Sequence, residues 1–421
     1  MEIYYYYFRK GWKRMDIKIQ SHIKKVADEI IEMRRQLHRY PELSNEEIQT
    51  STFVKQKLRE YGIPFESGFA KTGVLGIIHG QHPGKKVALR ADMDALPIDE
   101  QNNCSYASKH RGIMHACGHD AHTAMLLGAA KVLTQLKEDI YGTILLVFQP
   151  AEEDAPIGGA KAMLDDGVFS NYTPDVIYGQ HVWPDLPVGK VGIRNDEMMG
   201  ASDRFRITLT GSGGHASMPH STSDAIVTAG YLITSLQTIV SRNVDPLHAS
   251  VVTIAKINGG YAPNVIADEV TLEGSIRMYN QVAKKRIKER FFAITNQVAN
   301  MFNATVEIDY QDGYPPTINI PRWASLARKS ARKILGTDAT PEVNPALTAE
   351  DFSHFLNKYP GAFIWLGTQI DDVDKQKPLH DPAFKLNERA LPMGSSVLVQ
   401  IAIDALNKLR EDQSQNDSNL Y

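Results

Sequence analysis

Short apolar segments alternate with helical stretches along most of this chain, and that alternation limits the folds it can adopt. Each segment is rich in β-branched or aromatic residues and is bounded by Gly, Pro or Asp, as strands usually are. Between the segments, apolar residues recur at helical spacing. This order predicts an α/β fold in which a mixed sheet is flanked by helices. The predicted strands are 73–79, 86–91, 142–148, 175–181 and 362–366.

The middle of the chain has a different pattern. Residues 203–210 and 269–279 alternate apolar and polar side chains with the period of half-buried antiparallel strands. Helical patterns over 223–240 and 281–302 lie between and after them. The resulting order, strand–helix–strand–strand–helix–strand, is typical of a small ferredoxin-like α+β domain.

These patterns predict two domains. The α+β domain is an insertion over 199–313, and the α/β domain consists of 15–198 and 314–421. Residues 1–14 combine an aromatic run with basic residues and lack the order of a signal peptide, so we expect a poorly ordered extension. A capping-box pattern, Ser44 with Glu47, predicts the start of an early helix.

Composition excludes several classes of protein. The 421 residues are 43% hydrophobic and 23% charged, which is typical of globular rather than disordered or fibrous chains. The net charge of −3 gives no general attraction to nucleic acid or to an acidic membrane, and no segment has the composition of a membrane span. The two cysteines, Cys104 and Cys117, are too few for a disulfide framework, so we expect a cytoplasmic protein.

The densest group of chemically active residues lies in 115–122. This segment contains three histidines and Cys117, directly before a predicted helix. A helix N-terminus lowers the pKa of a thiol and favours the thiolate form that binds metal. Sulfur and imidazole ligands together suit zinc better than manganese or cobalt. On this pattern alone, a nucleophilic pair of Cys117 and His119 and a purely structural loop stay open as alternatives.

Acidic and imidazole side chains also follow several predicted strands. Glu152 and Glu153 come shortly after one strand, and His181 ends another. Adjacent acids are usually solvated surface residues, but the carboxyl ends of strands in an α/β sheet meet at the edge where such sheets bind ligands. Neighbouring carboxylates there can divide the work, one binding a metal and the other acting on its water. Similar positions are held by Asp92, Asp94 and His380.

These motifs resemble the M20 metallopeptidases, and within them the amidohydrolase branch of N-acyl amino acid, hippurate and auxin-conjugate hydrolases. The resemblance extends from about Ile17 to Leu409. It implies an enzyme that hydrolyses the amide bond of an N-acyl amino acid or of a short dipeptide-like substrate. The matching segments are 90–97, 114–122, 148–153, 213–217 and 349–353.

The resemblance also implies roles for individual residues around two divalent metal ions, zinc or manganese, with cobalt or nickel as substitutes. Cys117 would bridge the metals, and Glu152 would be the general base that takes a proton from a metal-activated water. His215 would stabilise the oxyanion in the site of a partner subunit, which implies a homodimer formed through the inserted lid domain. The other implied residues are the metal ligands His119, Glu153, His181 and His380, the carboxylate-binding Asn264 and Arg277, and Asp94 and Asp120 as groups that orient histidine.

Other functions stay open on the sequence alone. A dipeptidase or aminopeptidase of the same family would use the same residues. A hydrolase with Cys117 as its nucleophile would need no metal. A non-catalytic metal-binding protein would need the ligands but no base, so the presence of Glu152 argues against it. For Arg277, a salt bridge on the strand surface is the alternative to substrate binding.

Overall fold

The computed structural model describes the backbone of residues 2–418 and the side chains of 15–415, and it divides into two compact units. The predicted poorly ordered extension over 1–14 lies outside the described side chains and stays a prediction. The first unit is Met1–Met198, Ile318–Asn344 and Asp351–Tyr421, and the second is Met199–Thr317 and Pro345–Glu350.

Helices and strands alternate along the described chain. The helices are α1 (Glu2–Arg39), α2 (Ile48–Glu60), α3 (His119–Gln135), α4 (Gly159–Asp165), α5 (Ala225–Asn243), α6 (Gln281–Met301), α7 (Pro321–Leu335), α8 (Ser353–Leu356) and α9 (Ala390–Ser418). The strands are β1 (Phe65–Phe69), β2 (Gly73–His79), β3 (His82–Asp92), β4 (Tyr141–Gln149), β5 (Val176–Trp183), β6 (Val191–Gly192), β7 (Glu197–Met199), β8 (Ala201–Thr210), β9 (Gly214–His215), β10 (Ser250–Gly259), β11 (Val265–Ile266), β12 (Glu269–Met278), β13 (Thr305–Gln311), β14 (Thr317–Ile318) and β15 (Gly361–Gly367).

The first unit contains a seven-stranded mixed sheet, in the order β1-β2-β4-β3-β5-β15-β6. Its central strands β4, β3, β5 and β15 are parallel, and the outer strands pair antiparallel. The central strands are continuous apolar runs because helices cover the sheet on both faces. Helices α1, α3 and α9 share one hydrophobic core with β3, to which Ile30, Leu89, Ala124 and Val399 belong. The predicted helix-flanked mixed sheet is therefore confirmed.

Helix α9 is a long helix of this core with an extended apolar stretch. Among the described residues it alone, over Ala390–Gln415, is long and apolar enough to cross a membrane, but 83% of its most apolar stretch is buried inside the protein. It packs against α1, α3 and α7. A helix surrounded by protein needs the same composition as one surrounded by lipid, so its apolar character follows from its central position.

The second unit contains a four-stranded antiparallel sheet, in the order β10-β12-β8-β13, with α5 and α6 packed on it. Along β8 the buried residues alternate with exposed or half-buried ones, as the period of two in its sequence predicts. Strands β9 and β11 form a separate two-stranded ribbon. The order of helices and strands is the ferredoxin-like arrangement expected for the insertion.

The second unit extends beyond the predicted range of 199–313. It continues to Thr317 and includes Pro345–Glu350. The backbone N–H of Gly200 donates to carbonyl oxygens of that segment, 2.9 Å away. Arg277 donates from Nη1 to the carbonyl oxygen of Leu347, also 2.9 Å away. These contacts join residues that are distant in sequence, so no local periodicity could have placed the segment in this unit.

Packing in the second unit can be tested at Phe291, which is fully buried with its ring centroid 4.7 Å from that of Phe205. We expect Phe291→Ala to lower the free energy of unfolding by about 3–5 kcal/mol, because apolar burial is lost and a cavity remains. Denaturant unfolding followed by circular dichroism measures this change. The exposed Lys285→Ala on the same helix should change it by less than about 0.5 kcal/mol. Equal effects of the two variants would contradict the packing described here.

Candidate metal centre

A tight loop brings the start of α3 against β5 at the carboxyl edge of the sheet. Gly118 precedes α3 with a φ of 86°, and a Cβ atom there would lie 2.4 Å from Cγ2 of Val182. Only glycine combines this backbone conformation with such a close approach. The loop therefore places Cys117 and His119 beside His181 of β5.

Cys117 lies at the centre of a cluster of possible metal ligands. Its Sγ atom is 3.4 Å from Nε2 of His181 and 3.3 Å from Nε2 of His380. It belongs to two groups of donors, here termed the two triads, Cys117–His119–His181 and Cys117–Glu153–His380. Within each triad the donor atoms lie within 4.8 Å of one another. Two triads that share one sulfur have the composition expected of two neighbouring cation sites.

Hydrogen bonds determine which ring nitrogens of the buried histidines face the cluster. Nδ1 of His119 donates to the carbonyl oxygen of Asp94, 2.9 Å away, and its Nε2 has no hydrogen-bond partner among the described residues. Nδ1 of His181 donates to the carbonyl oxygen of Val182, 2.7 Å away, so its Nε2 lone pair faces Cys117. Burial, and then the neighbouring His122, lower the pKa of His181 well below its ordinary value. A neutral imidazole held in this way is the form that binds metal.

The thiol of Cys117 has the opposite pKa shift from the one predicted. Burial, followed by the carboxylates of Glu153, Glu152 and Asp92, raises its pKa well above the ordinary value. The sequence-based prediction of a lowered pKa was wrong because burial and nearby negative charge outweigh the helix N-terminus. A thiol that resists ionisation is a poor nucleophile, which argues against metal-free catalysis by Cys117.

The side chains around His119 carry an excess of negative charge. Burial lowers the pKa of His119, but Asp92, Asp94 and Glu153 outweigh it and raise the pKa to about 10. Carboxylates thus gather around buried imidazole and sulfur with too little positive charge to balance them. A divalent cation supplies that charge and displaces the protons from nitrogen and sulfur. The donor set therefore fits a metal site.

Two aspartates hold histidines from behind the cluster. Oδ1 of Asp94 lies 3.1 Å from Nδ1 of His119, and its Oδ2 accepts from the backbone N–H of Glu153 at 2.9 Å. Asp92 accepts from Nδ1 of His122 at 2.5 Å, because Nε2 of that ring accepts from the backbone N–H of Val182. The sequence pattern predicts that Asp92 and His122 lie near the site but indicates no role for them.

Asp120 does not have the orientation expected of it. Its Oδ2 is 2.8 Å from Nε of Arg34 and 2.8 Å from Nδ1 of His38, both on α1. Its described contacts thus anchor α1 to α3 instead of orienting a histidine of the two triads. The prediction was wrong because consecutive residues of a helix point in different directions. Asp120 follows His119 in sequence without sharing its face.

Glu152 is buried beside the two triads. It can share a cation-sized space with His119 and Glu153, but it is a member of neither triad. Its Oε1 accepts from the backbone N–H of Asp351 at 3.3 Å. The carboxylate therefore lies where it can reach a water held at the cluster.

A buried arginine, for which the sequence pattern indicates no role, supports this arrangement. Arg90 of β3 is 1% exposed, and its guanidinium donates to Asp92 at 2.6 Å, to Gln149 at 2.7 Å and to Asp351 at 2.7 Å. Buried charges are stable only when they are paired. An arginine inside an apolar strand is the available signal in the sequence, but two of its partners, Gln149 and Asp351, are far away along the chain.

The remaining predicted residues lie in the second unit. His215 of β9 pairs with Val265 of β11, which places Asn264 next to it, and the backbone N–H of Ala216 donates to the carbonyl oxygen of Asn264. Nδ1 of His215 accepts from the backbone N–H and the hydroxyl of Ser217, at 3.2 Å and 2.7 Å. The N–H of this exposed ring is therefore at Nε2, and Nε2 can donate a hydrogen bond.

Arg277 is half-buried on β12, where it donates to the carbonyl oxygen of Leu347. Burial lowers its pKa from the ordinary value, with a further contribution from Arg204. The described contact is to a backbone carbonyl and not to a carboxylate, so the surface salt bridge considered for Arg277 is not what holds it. The roles of His215, Asn264 and Arg277 towards a substrate stay predictions.

Comparison with known proteins identifies the family. Residues 88–404 match peptidase family M20/M25/M40. The chain belongs to this M20 family. It is 42% identical to the N-acetyl-L-cysteine deacetylase of Bacillus subtilis (strain 168), over 91% of this chain and 90% of that protein. It is 38% identical to thermostable carboxypeptidase 1 of Saccharolobus solfataricus, over 93% of this chain and 99% of that protein.

A solved structure of an M20 protein also matches this chain along most of its length. The YXEP protein of Bacillus subtilis, described as a dinuclear metal binding peptidase, matches with a TM-score of 0.80 and 34% identity, over 91% of this chain and 99% of that one. The predicted family is therefore confirmed. As an M20 hydrolase, the protein is an enzyme that cleaves amide bonds in a metal-dependent reaction.

The shared position of Cys117 in the two triads predicts a loss of metal on substitution. We expect Cys117→Ala to lose most of its bound metal and Cys117→Asp to recover part of it, because a carboxylate can also bridge two ions. Elemental analysis of protein reconstituted with zinc or manganese measures metal per chain. Cys104→Ala, the same change at the other cysteine, serves as the control and should retain the metal. A Cys117→Ala protein with unchanged metal content would contradict the bridging role.

Proposed function

We propose that this M20 enzyme is an N-acyl amino acid amidohydrolase that holds two divalent metal ions in the two triads. The observation that carries the proposal is that both triads share Cys117, with the Glu152 carboxylate beside them and outside both. The similarity to a deacetylase of an N-acetylated amino acid supports an acyl substrate. Thiolate and imidazole donors favour zinc and carboxylate donors favour manganese, with cobalt or nickel as substitutes.

The chain's own residues account for the proton transfers. Bound divalent ions lower the pKa of a water and polarise the carbonyl group of the substrate. Glu152 accepts a proton from the attacking water and passes it to the leaving amine, so one carboxylate serves as base and then as acid. The N–H of Asp351 orients Glu152, and Arg90 in turn fixes Asp351.

Residues of the second unit supply binding groups in this proposal. Arg277 and Asn264 bind the carboxylate of the amino acid and so set the orientation of the scissile amide. His215 donates from Nε2 to the oxyanion in the active site of a partner subunit. The hydrogen bonds from Ser217 support this role, because they leave the donor proton on Nε2.

The surface of the second unit supports a homodimer. Strand β10 is an edge strand, and Val251 and Ile257 on it are 41% and 53% exposed. Helix α5 also exposes the apolar side chains of Ile226, Val227 and Tyr231. Natural proteins usually cover an exposed apolar edge strand, and a second copy of the same surface can do so. We place the enzyme in the cytoplasm, where its two free cysteines stay reduced.

Peptide cleavage is the second candidate, favoured by the similarity to a carboxypeptidase. A peptide bond is also an amide, so the same metal site and base would serve. Values of kcat/KM for metal-reconstituted enzyme on N-acetyl amino acids, N-benzoyl amino acids and dipeptides separate the two functions. Higher values for dipeptides than for all N-acyl substrates would replace the proposed function by a peptidase function.

Substitution of the proposed base tests the mechanism. We expect Glu152→Gln to lower kcat by about 10²–10⁴-fold, because an amide cannot accept the proton of the water. Metal content measured by elemental analysis should stay at the level of the parent protein. Glu153→Gln provides the contrast, since it should lose metal as well as activity. Near-normal turnover by Glu152→Gln would remove this residue from the mechanism.

A mixture of variants tests whether His215 acts across the dimer. We expect His215→Ala to lower kcat by about 10²–10³-fold with unchanged metal content, because one oxyanion donor is lost. His220→Ala, at another exposed histidine of the same unit, should have little effect. When His215→Ala and Glu152→Gln proteins exchange subunits, each mixed dimer contains one site with both residues intact. Activity should then rise well above that of either variant, and verified exchange without such a rise would exclude the cross-subunit role.

A further inference from the structure

The turn before α2 makes different contacts from those its sequence predicts. Ser44 and Glu47 have the spacing of a capping box, but α2 receives no hydrogen bond from a side chain at its N-cap residue. Glu42 takes over that role and accepts from the backbone N–H groups of Gln49 and Thr50, at 3.0 Å and 2.9 Å. The predicted capping box is therefore wrong, and the side chains of Ser44 and Glu47 have other partners.

Glu47 connects this turn to the loop that carries the proposed base. Its carboxylate is fully buried and accepts from the backbone N–H of Ala151 at 2.8 Å. It also accepts from the backbone N–H of Asn45 at 2.9 Å and from the hydroxyl of Thr72 at 2.7 Å. Glu152 and Glu153 directly follow the residue whose backbone Glu47 binds.

Two further contacts connect the same turn to the same loop, one of them through Asp94 and the other directly. The hydroxyl of Ser44 donates at 2.7 Å to Oδ2 of Asp94, the oxygen that also accepts from the backbone N–H of Glu153. The side chain of Asn45 donates to Asp154 at 2.8 Å. We term residues 44–47 the clasp, because they bind the loop on both sides of Glu152.

The backbone that the clasp binds has an unfavourable conformation. Ala151 has a φ of 53°, in the left-handed region that residues with a Cβ atom rarely adopt. Such a conformation persists only where surrounding contacts enforce it. The hydrogen bond from the N–H of Ala151 to Glu47 is a contact of this kind.

The carboxyl group of Glu47 is buried away from water, which makes its ionised form less stable. Burial, followed by the negative charge of Asp94, raises the pKa of Glu47 to about 7. A buried carboxyl group destabilises a fold unless its hydrogen bonds compensate. Glu47 accepts those hydrogen bonds from the loop and from Thr72, so its burial is coupled to the conformation of the loop.

We propose that Glu47 is a positioning residue for the hydrolysis: it holds Ala151 in the left-handed conformation that directs Glu152 and Glu153 at the two triads. The described hydrogen bonds of Glu47 reach no donor atom of the two triads, so it acts through the backbone of the loop. The kinetic part of this inference rests on the proposed amidohydrolase function. The structural part, the conformation of the loop, does not.

Hydrogen exchange tests the structural part without substrate or metal. In metal-free protein, we expect Glu47→Ala to speed the exchange of the amides of 151–154 by about ten-fold, because the loop opens locally. Exchange in α5, which is remote in sequence and belongs to the second unit, should not change. The exposed Glu46→Ala is the matched control and should behave as the parent protein does. Unchanged exchange at 151–154 in Glu47→Ala would overturn the proposal.

Kinetics with a double variant test the positioning role. We expect Glu47→Ala to lower kcat by about 10²-fold with little change in KM, since a misplaced base affects turnover more than binding. Ala151→Gly in the Glu47→Ala background should recover much of the loss, because glycine adopts the left-handed conformation without a steric penalty. Glu47→Gln should also retain most activity, since its amide oxygen can accept from Ala151. A defect that neither glycine nor glutamine relieves would overturn the proposal.

A failure of the Glu47 proposal can be distinguished from a misfolded variant and from a failure of the proposed function. If Glu47→Ala does not fold, Glu47→Asp replaces it with the same expected outcomes, since its shorter side chain keeps the charge but cannot reach the N–H of Ala151. If the parent protein hydrolyses no N-acyl amino acid or dipeptide, the proposed function fails, and the exchange experiment still decides whether Glu47 holds the loop.

Discussion

The metal centre depends on one buried guanidinium. Arg90 joins the ends of β3 and β4 to the turn at Asp351, and each of its partners positions another group of the site. Asp92 holds His122, and Asp351 orients Glu152. Without this positive charge, the buried carboxylates of Asp92 and Asp351 would repel one another with little water to screen them. The negative charge that attracts metal ions is thus kept in place by a positive charge that does not bind them.

The residues that meet at the cluster were largely predictable from the sequence. Glu153 follows β4 and His181 lies near the end of β5, and the carboxyl ends of the parallel strands β4, β3 and β5 must lie at one edge. The sequence also predicts a helix after the segment that contains Cys117 and His119, over 123–136, and α3 begins somewhat earlier, at His119. The positions of these strand ends follow from local patterns, so this part of the site can be inferred before any coordinates exist. The ferredoxin-like insertion was predictable for the same reason.

The partners of individual polar side chains could not be predicted from the sequence. Asp120 follows His119 but faces α1, and Ser44 and Glu47 have the spacing of a helix cap but bind a distant loop. The pKa of Cys117 depends on carboxylates that only the fold brings near it. Each of these errors has one cause: a local rule was applied to a side chain whose partner lies far away along the chain. Such partners are set by tertiary packing alone.

The order of the two units along the chain has a consequence for how the protein is made. The core of the first unit is closed by α9, which comes after every other helix and strand, whereas Met199–Thr317 of the second unit precedes it. During synthesis, the inserted sheet can therefore assemble while its host still lacks a central helix and the strand β15 beside β5. Until α9 emerges from the ribosome, the parts of α1 and α3 that pack against α9 stay exposed. The first unit is thus the part of the nascent chain that keeps apolar surface exposed for longest.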